Sequence, residues 1–333
     1  MPISTITILL AGLDLLGLMV AGGAVNALIC LLPHGQAEAW VQAFRSRLWH
    51  MLMLAWVELS LITPLLLIDR TVNLSRLTWP AADMLWPVIT QTHYGDIWLL
   101  RCLALVLGWL ILVSQRRLDN IADKFMLLAL LLLIAYRSAS GHAADMGDWS
   151  LLQFADGFHQ ACAMIWGGCL LAIIPALWLV RRKKIMAPAD LYVDFALRLS
   201  RLAALGLVGV LVTGFYMAWH QLGQLSLLLT TRYGQILSIK LGLVALMAFL
   251  GASNRFWYIP RLLLSQGLTQ VGLIWRTLPP ALLQVLHRSI QTTPERAWRG
   301  LLRTTSWEAA LMVVVLIIVS LLINTMPHMH MSM

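Results

Sequence analysis

The chain has 333 residues, 60% of them hydrophobic and only 12% charged, with a formal net charge of +9. A soluble domain carries about 25% charged residues, and a chain this apolar would expose large greasy patches to water, so a soluble globular protein is excluded. The positive charge does not point to nucleic acid either: the basic residues sit between apolar blocks with no nucleic-acid motif beside them, and so report orientation in a membrane.

The first apolar block covers residues 6–32. It lacks a basic n-region and is too long for the h-region of a cleavable signal, so it is read as the first span. Three more blocks follow at 48–68, 97–113 and 125–136, the last extended to 121–138, and a second set lies at 160–180, 202–219, 235–251 and 307–323. A membrane core about 30 Å thick needs about 20 apolar residues in a helix. The predicted fold is therefore an all-α polytopic membrane protein of about eight transmembrane helices. With the N-terminus outside, 18 of the 24 Lys and Arg residues fall in inner segments. Only Arg70, Arg76, Arg137 and Arg232 fall in outer ones, while Arg101 and Lys240 lie within spans. This asymmetry predicts that both termini are outside and that the number of spans is even. The long inner segment 254–306 mixes apolar residues with arginines, over 259–275 for example, and is expected to form amphipathic helices on the membrane surface.

Two stretches match at identical spacing. Thr92-His93-Tyr94-Gly95 precedes Arg101 by the interval at which Thr231-Arg232-Tyr233-Gly234 precedes Lys240. Gly12-Leu13-Asp14 likewise precedes Gly22-Gly23 as Gly157-Phe158-His159 precedes Gly167-Gly168. The expected organisation is two four-helix halves, residues 1–140 and 141–333, the second including the inner segment 254–306 and an outer tail at 326–333. Four is even, so the halves share one orientation and form a parallel repeat about an axis along the membrane normal. The glycine pairs are expected to let helices approach closely.

The chemistry gathers on the outer face. The tail reads Met326-Pro327-His328-Met329-His330-Met331-Ser332-Met333. Alternating thioether and imidazole in a short tail has little packing use and suits copper, with soft sulfur favouring Cu(I) and Cu(II) also accessible. The end of the fourth span adds His142 and Met146, and the start of the fifth adds His159, with Asp156 one turn earlier as a carboxylate expected to orient the imidazole. His159, Cys162, Trp166 and Cys169 share one helix face, and the two cysteines are read as packing residues, as are Cys30 and Cys102. Charged residues inside spans usually face a bundle interior. Asp14 occupies the repeat position of His159, which suggests a shared polar site, and Glu58 near the middle of the second span is expected in a cation or proton path. Arg101 and Lys240 are expected to pair in the bundle or to snorkel outward, and Tyr94 and Tyr233 accompany them. The pair Met51 and Met53 beside His50 is read as gap-filling.

These residues resemble the copper-resistance D family of bacterial inner-membrane proteins. The resemblance runs from the third span onward and rests on Gly141-His142-Ala143, on Asp156-x-x-His159 with Trp166-Gly167-Gly168, and on Thr231-x-Tyr233-Gly234 with Lys240. It continues through Asn254-Arg255, the stretch from Arg303 to Glu308, and Pro327. It implies copper uptake across the inner membrane, a metal role for His142 and His159, and a separate periplasmic copper-binding C-type partner. No catalytic constellation is present and no enzymatic role is expected. The alternatives are a membrane cytochrome with haem between facing histidines, and a copper-binding membrane protein that transports nothing.

Overall fold

The computed structural model describes residues 5–32, 38–75, 82–118, 121–141, 150–185, 189–224, 226–264 and 294–325. Among them every regular element is helical. The first group comprises α1 (Thr5–Cys30), α2 (Ala39–Ser75), a short α3 (Ala82–Gln91), α4 (His93–Leu118) and α5 (Ala122–Ala139). Next come α6 (Leu151–Ala163), a π-helical turn (Met164–Gly168) and α7 (Cys169–Arg182), which together make one continuous rod. The chain goes on through α8 (Ala189–Leu222), a single turn α9 (Leu227–Thr230), and α10 (Arg232–Ser253), which runs through a second π turn (Asn254–Tyr258) into α11 (Ile259–Leu264). The last helix is α12 (Pro294–Ile323).

Seven helical stretches among the described residues are long and apolar enough to cross a membrane. The fourth expected block, 121–138, is α5, which is 18 residues long but carries Asp123, Lys124 and Arg137. These charges separate it from the other seven. Its Met126, Ala129 and Leu133 are nonetheless fully buried, and Asp123 accepts a hydrogen bond from Arg45 of α2 at 3.3 Å. The helices also outrun the apolar blocks. The second span was expected over 48–68, yet α2 has 37 residues, because charged side chains at helix ends can project into water while the backbone stays paired. Outward faces carry large apolar side chains such as Leu103, Leu205, Phe249 and Ile317, a surface suited to lipid rather than water.

The core forms where α1 crosses the rod of α6 and α7. The crossing is as close as the glycine pairs lead one to expect: a Cβ on Gly23 would run into the Gly168 carbonyl, and one on Gly168 into the Met19 carbonyl. Around this point α1 packs on α2, α4 on α5, α6 on α8 and α10 on α12.

The two Thr-x-Tyr-Gly stretches fold alike. Thr92 caps α4, its Oγ1 accepting from the Gly95 amide at 3.2 Å, and Thr231 caps α10, accepting from the Gly234 amide at 3.0 Å. Each threonine hydroxyl donates back into the preceding short helix, to Val88 at 2.6 Å and to Leu227 at 2.8 Å. Each glycine lies so close to that helix that a Cβ would meet its carbonyl oxygens. Threonine and glycine are therefore both required by this turn, which explains the shared pattern locally.

Candidate functional site

Near the outer-assigned ends of the helices, a cavity of about 380 Å³ opens between the two groups. Its wall draws together residues that the sequence analysis singled out one by one: Asp14, Tyr94, Asp156, His159, Trp166, Tyr233 and Lys240.

On the first side, Asp14 is fully buried in α1 and bracketed by two guanidinium groups. Arg101 of α4 donates to its Oδ1 at 2.6 Å, and Arg137 at the end of α5 reaches its Oδ2. Arg101 does not snorkel. It is also fully buried, donates through Nε to Thr63 Oγ1 at 2.7 Å, and lies over the Tyr136 ring at 4.9 Å. Arg70 sits over the Tyr94 ring at 5.4 Å. Arg137, assigned to an outer segment by sequence, thus turns inward because an unpaired buried carboxylate is costly.

On the second side, His159 Nδ1 lies 2.9 Å from Thr213 Oγ1 of α8. That hydroxyl donates its proton to the Gly209 carbonyl at 2.6 Å, so it receives the Nδ1 proton. The imidazole is therefore held in the tautomer whose Nε2 carries a free lone pair, the form that binds metals. The ring also has a backbone hydrogen-bond partner in Val210, and no side chain among the described residues engages Nε2. The expectation that Asp156 orients the ring is corrected here. Asp156 instead accepts from Gln160 Nε2 at 2.7 Å and faces Lys240 electrostatically. Thr213 reaches the ring because α8 packs across it, a tertiary contact that no local spacing signals. Lys240 makes no ion pair within 4 Å among the described residues. Tyr233 is buried, and its hydroxyl donates to Gln221.

Five methionines line the same cavity: Met19, Met164, Met217, Met247 and Met312. None was singled out by sequence, since methionine is an ordinary filler of apolar cores. The one available signal was that Met19 and Met164 hold equal offsets from the two glycine pairs. Among the described residues no group of three His, Cys, Asp or Glu side chains is placed to hold a metal ion. His159 is the single histidine among the described lining residues. Glu58 does not line the cavity. It sits between α1 and α2 against Gly17, and neither carboxylate oxygen has a hydrogen-bond partner. Cys162 and Cys169 are buried and in no disulfide. His142, Met146, Met326, His328, Met329, His330 and Met331 lie outside the described residues.

A second cavity, about 220 Å³ and strongly apolar, lies toward the inner-assigned ends. Trp166, carried on the π turn, lines both cavities; such turns often mark functional positions. At the second cavity's edge, Asn254 donates to Glu308 Oε1, to Thr305 Oγ1 at 3.3 Å, and accepts from Thr304. Arg255 donates to the Ser200 carbonyl and hydroxyl at 3.2 and 3.1 Å.

Fold and site together define a multi-pass membrane protein built around a cavity lined by a few charged and polar groups, one imidazole and several thioethers. The chain belongs to the copper-resistance D family. Residues 194–322 match Copper resistance protein D, and residues 2–152 match the Copper resistance protein D-like N-terminal domain. The second match corrects the sequence reading, because the likeness reaches through the first two spans as well and so takes in Asp14 and Glu58. Over 198 residues the chain is 29% identical to Inner membrane protein YebZ of Escherichia coli (strain K12). That alignment covers 58% of this chain and 64% of the relative, so it spans a little less than two thirds of the relative's length. No solved structure matches the chain.

Proposed function

We propose that this protein moves copper across the bacterial inner membrane, from periplasm to cytoplasm, and that the outer cavity receives the ion. The observation that carries this reading is the imidazole of His159, held by Thr213 with no side chain on Nε2, in a cavity otherwise rich in thioethers. Neutral imidazole and thioether are the ligands that suit Cu(I), and a carrier must bind firmly enough to load yet weakly enough to release. The family name and the inner-membrane designation of YebZ support the metal and the location. Copper here is cargo, and the protein acts as a permease rather than an enzyme.

The architecture proposed alongside is eight spans in two parallel four-helix halves with both termini outside. The matched Thr-x-Tyr-Gly caps, the meeting of the glycine pairs on one axis and the charge asymmetry support it. In this reading His142, Met146 and the tail ligands Met326, His328, Met329, His330 and Met331 collect copper above the cavity. A separate periplasmic copper-binding C-type protein delivers it there. Trp166 is the septum between the outer and inner cavities, and Asn254 with Glu308 lies beyond it.

The test is copper accumulation in cells expressing the parent or the His142→Ala, His159→Ala double variant at matched membrane levels. Accumulation should fall at least tenfold toward the level of cells without the protein. Accumulation equal to the parent's would sink the transport role of these two residues.

A further inference from the structure

The glycine pairs carry a third shared residue that the helix crossing does not need. Met19 stands five residues after Asp14 and three before Gly22; Met164 stands five after His159 and three before Gly167. Because α1 and the rod of α6 cross at these glycines, both methionines are brought to the crossing. The Met19 carbonyl lies against Gly168, and a Cβ on Gly22 would strike the Met164 sulfur. Gly167 holds space for a second sulfur in the same manner, that of Met312 from α12. Met247 of α10 is fully buried. All four line the outer cavity. Five residues of helix place Met19 and Met164 roughly 7.5 Å further along their helices than Asp14 and His159, on the side toward Trp166.

The electrostatics of the wall fit a soft ion rather than a hard one. Asp14 is held by Arg101 and Arg137, and Asp156 is turned to Gln160 and Lys240. Hard divalent cations need several free oxygen ligands, and here the carboxylates are already engaged. Thioethers and one neutral imidazole offer a monovalent soft cation ligands that cost no charge neutralisation. Packing alone would account for single methionines in a core. It gives no reason for two at matched positions beside the crossing, with glycines opposite the sulfurs of Met164 and Met312, below the imidazole of His159.

We infer that Met19 and Met164, with Met312 and Met247, form an intramembrane thioether station for a monovalent soft cation, Cu(I) in the cell and Ag(I) as its surrogate. The ion passes to it from His159 by ligand exchange, with no change of oxidation state. This rests on the transport reading above and deepens it by naming the form of the ion and the side chains that receive it.

The experiment compares full-length protein in lipid nanodiscs with and without the Met19→Leu, Met164→Leu pair. Both versions carry serine in place of Met326, Met329, Met331 and Met333, so that the sulfur signal arises inside the membrane. Each is titrated with Ag(I) and, under reductant, with Cu(I) against a competing chromogenic chelator, and the loaded samples are measured by copper X-ray absorption. Leucine nearly conserves the volume of methionine, so the metal-free thermal midpoint should not move. Affinity should fall at least tenfold, the sulfur shell should shrink, and the rise in midpoint on metal addition should diminish. Unchanged affinity with an unchanged sulfur shell overturns the station. If the double variant melts early without metal, Met312→Leu on the opposite wall carries the same test with the same two outcomes. Copper accumulation in cells separates this inference from the one beneath it. Lost binding with accumulation equal to the parent's overturns passage of the ion through these methionines and leaves transport standing. Lost binding in a protein whose parent form accumulates no more copper than cells without it keeps the site and overturns transport. Unchanged binding with accumulation that still needs His159 overturns the station and leaves transport standing.

Discussion

Asp14 and His159 stand at corresponding sequence positions, line one cavity from opposite sides, and have been given opposite tasks. Asp14 is locked: two arginines hold its carboxylate, and nothing is left to offer a ligand. His159 is poised: one nitrogen is spent on Thr213 and no side chain engages the other. Their basic companions differ in the same sense. Arg101 is fully buried and committed to Asp14 and Thr63, whereas Lys240 has only a looser electrostatic partner in Asp156. The difference teaches that a single cavity can divide labour between its walls, one fixing the helices and the other keeping a ligand atom available.

The variant that breaks the comparison hardest is Asp14→Ala. It leaves the Arg101 and Arg137 charges facing each other without a carboxylate, and stranding buried charge in this way costs about 3–5 kcal/mol. The expected outcome is a strong fall in the thermal midpoint of the detergent-extracted protein, or no monodisperse protein at all. His159→Ala, by contrast, should fold as the parent does. An Asp14→Ala protein with the parent's midpoint would show that the first wall is not a lock.

The next effect falls on the poised side. Thr213→Val removes the hydroxyl that fixes the imidazole while preserving its shape. Loss of such an orienting partner typically lowers metal affinity about 10–100-fold, and Cu(I) titration should read a drop of that order. Thr213→Ser keeps the hydroxyl and should restore binding. If valine binds Cu(I) as tightly as threonine, the tautomer of His159 is set by something other than α8.

Much of this was legible in the sequence, and what was not has physical reasons. The apolar blocks located the seven long apolar helices and α5 because burial in lipid demands a long uninterrupted run, and the glycine pairs foretold the crossing because only glycine lets two backbones meet. The ends were misjudged, since helices continue beyond the apolar layer wherever the backbone can stay paired. Asp14 and Lys240 stand out in the sequence as charges within spans, and Tyr94, Asp156, His159 and Tyr233 as motif residues at span ends; the fold brings all six to one cavity. Arg137, Thr213 and the cavity methionines were not picked. An arginine near a helix end and a threonine in a helix look ordinary until a neighbouring helix supplies the partner. Glu58 looked equally odd but stands apart, against Gly17 and outside the cavity.

The smallest predicted effect sharpens the comparison, because it probes where the two sides are alike. Thr92 and Thr231 cap their helices through the same bond and the same backward hydrogen bond. Removing a threonine cap costs about 1 kcal/mol. Thr92→Ala and Thr231→Ala should therefore lower the thermal midpoint slightly and by similar amounts, with serine at either position restoring most of the loss. Copper binding should change little in either variant, since both caps lie above the ligand atoms rather than among them. Equal costs would mean that the turn leading into Arg101 and the turn leading into Lys240 are one structural unit used twice, and that the walls diverged only in the groups they present. A cost at Thr92 with none at Thr231 would mean that the locked wall also depends on its cap for stability, so that the asymmetry begins in the backbone and not with Asp14 and His159.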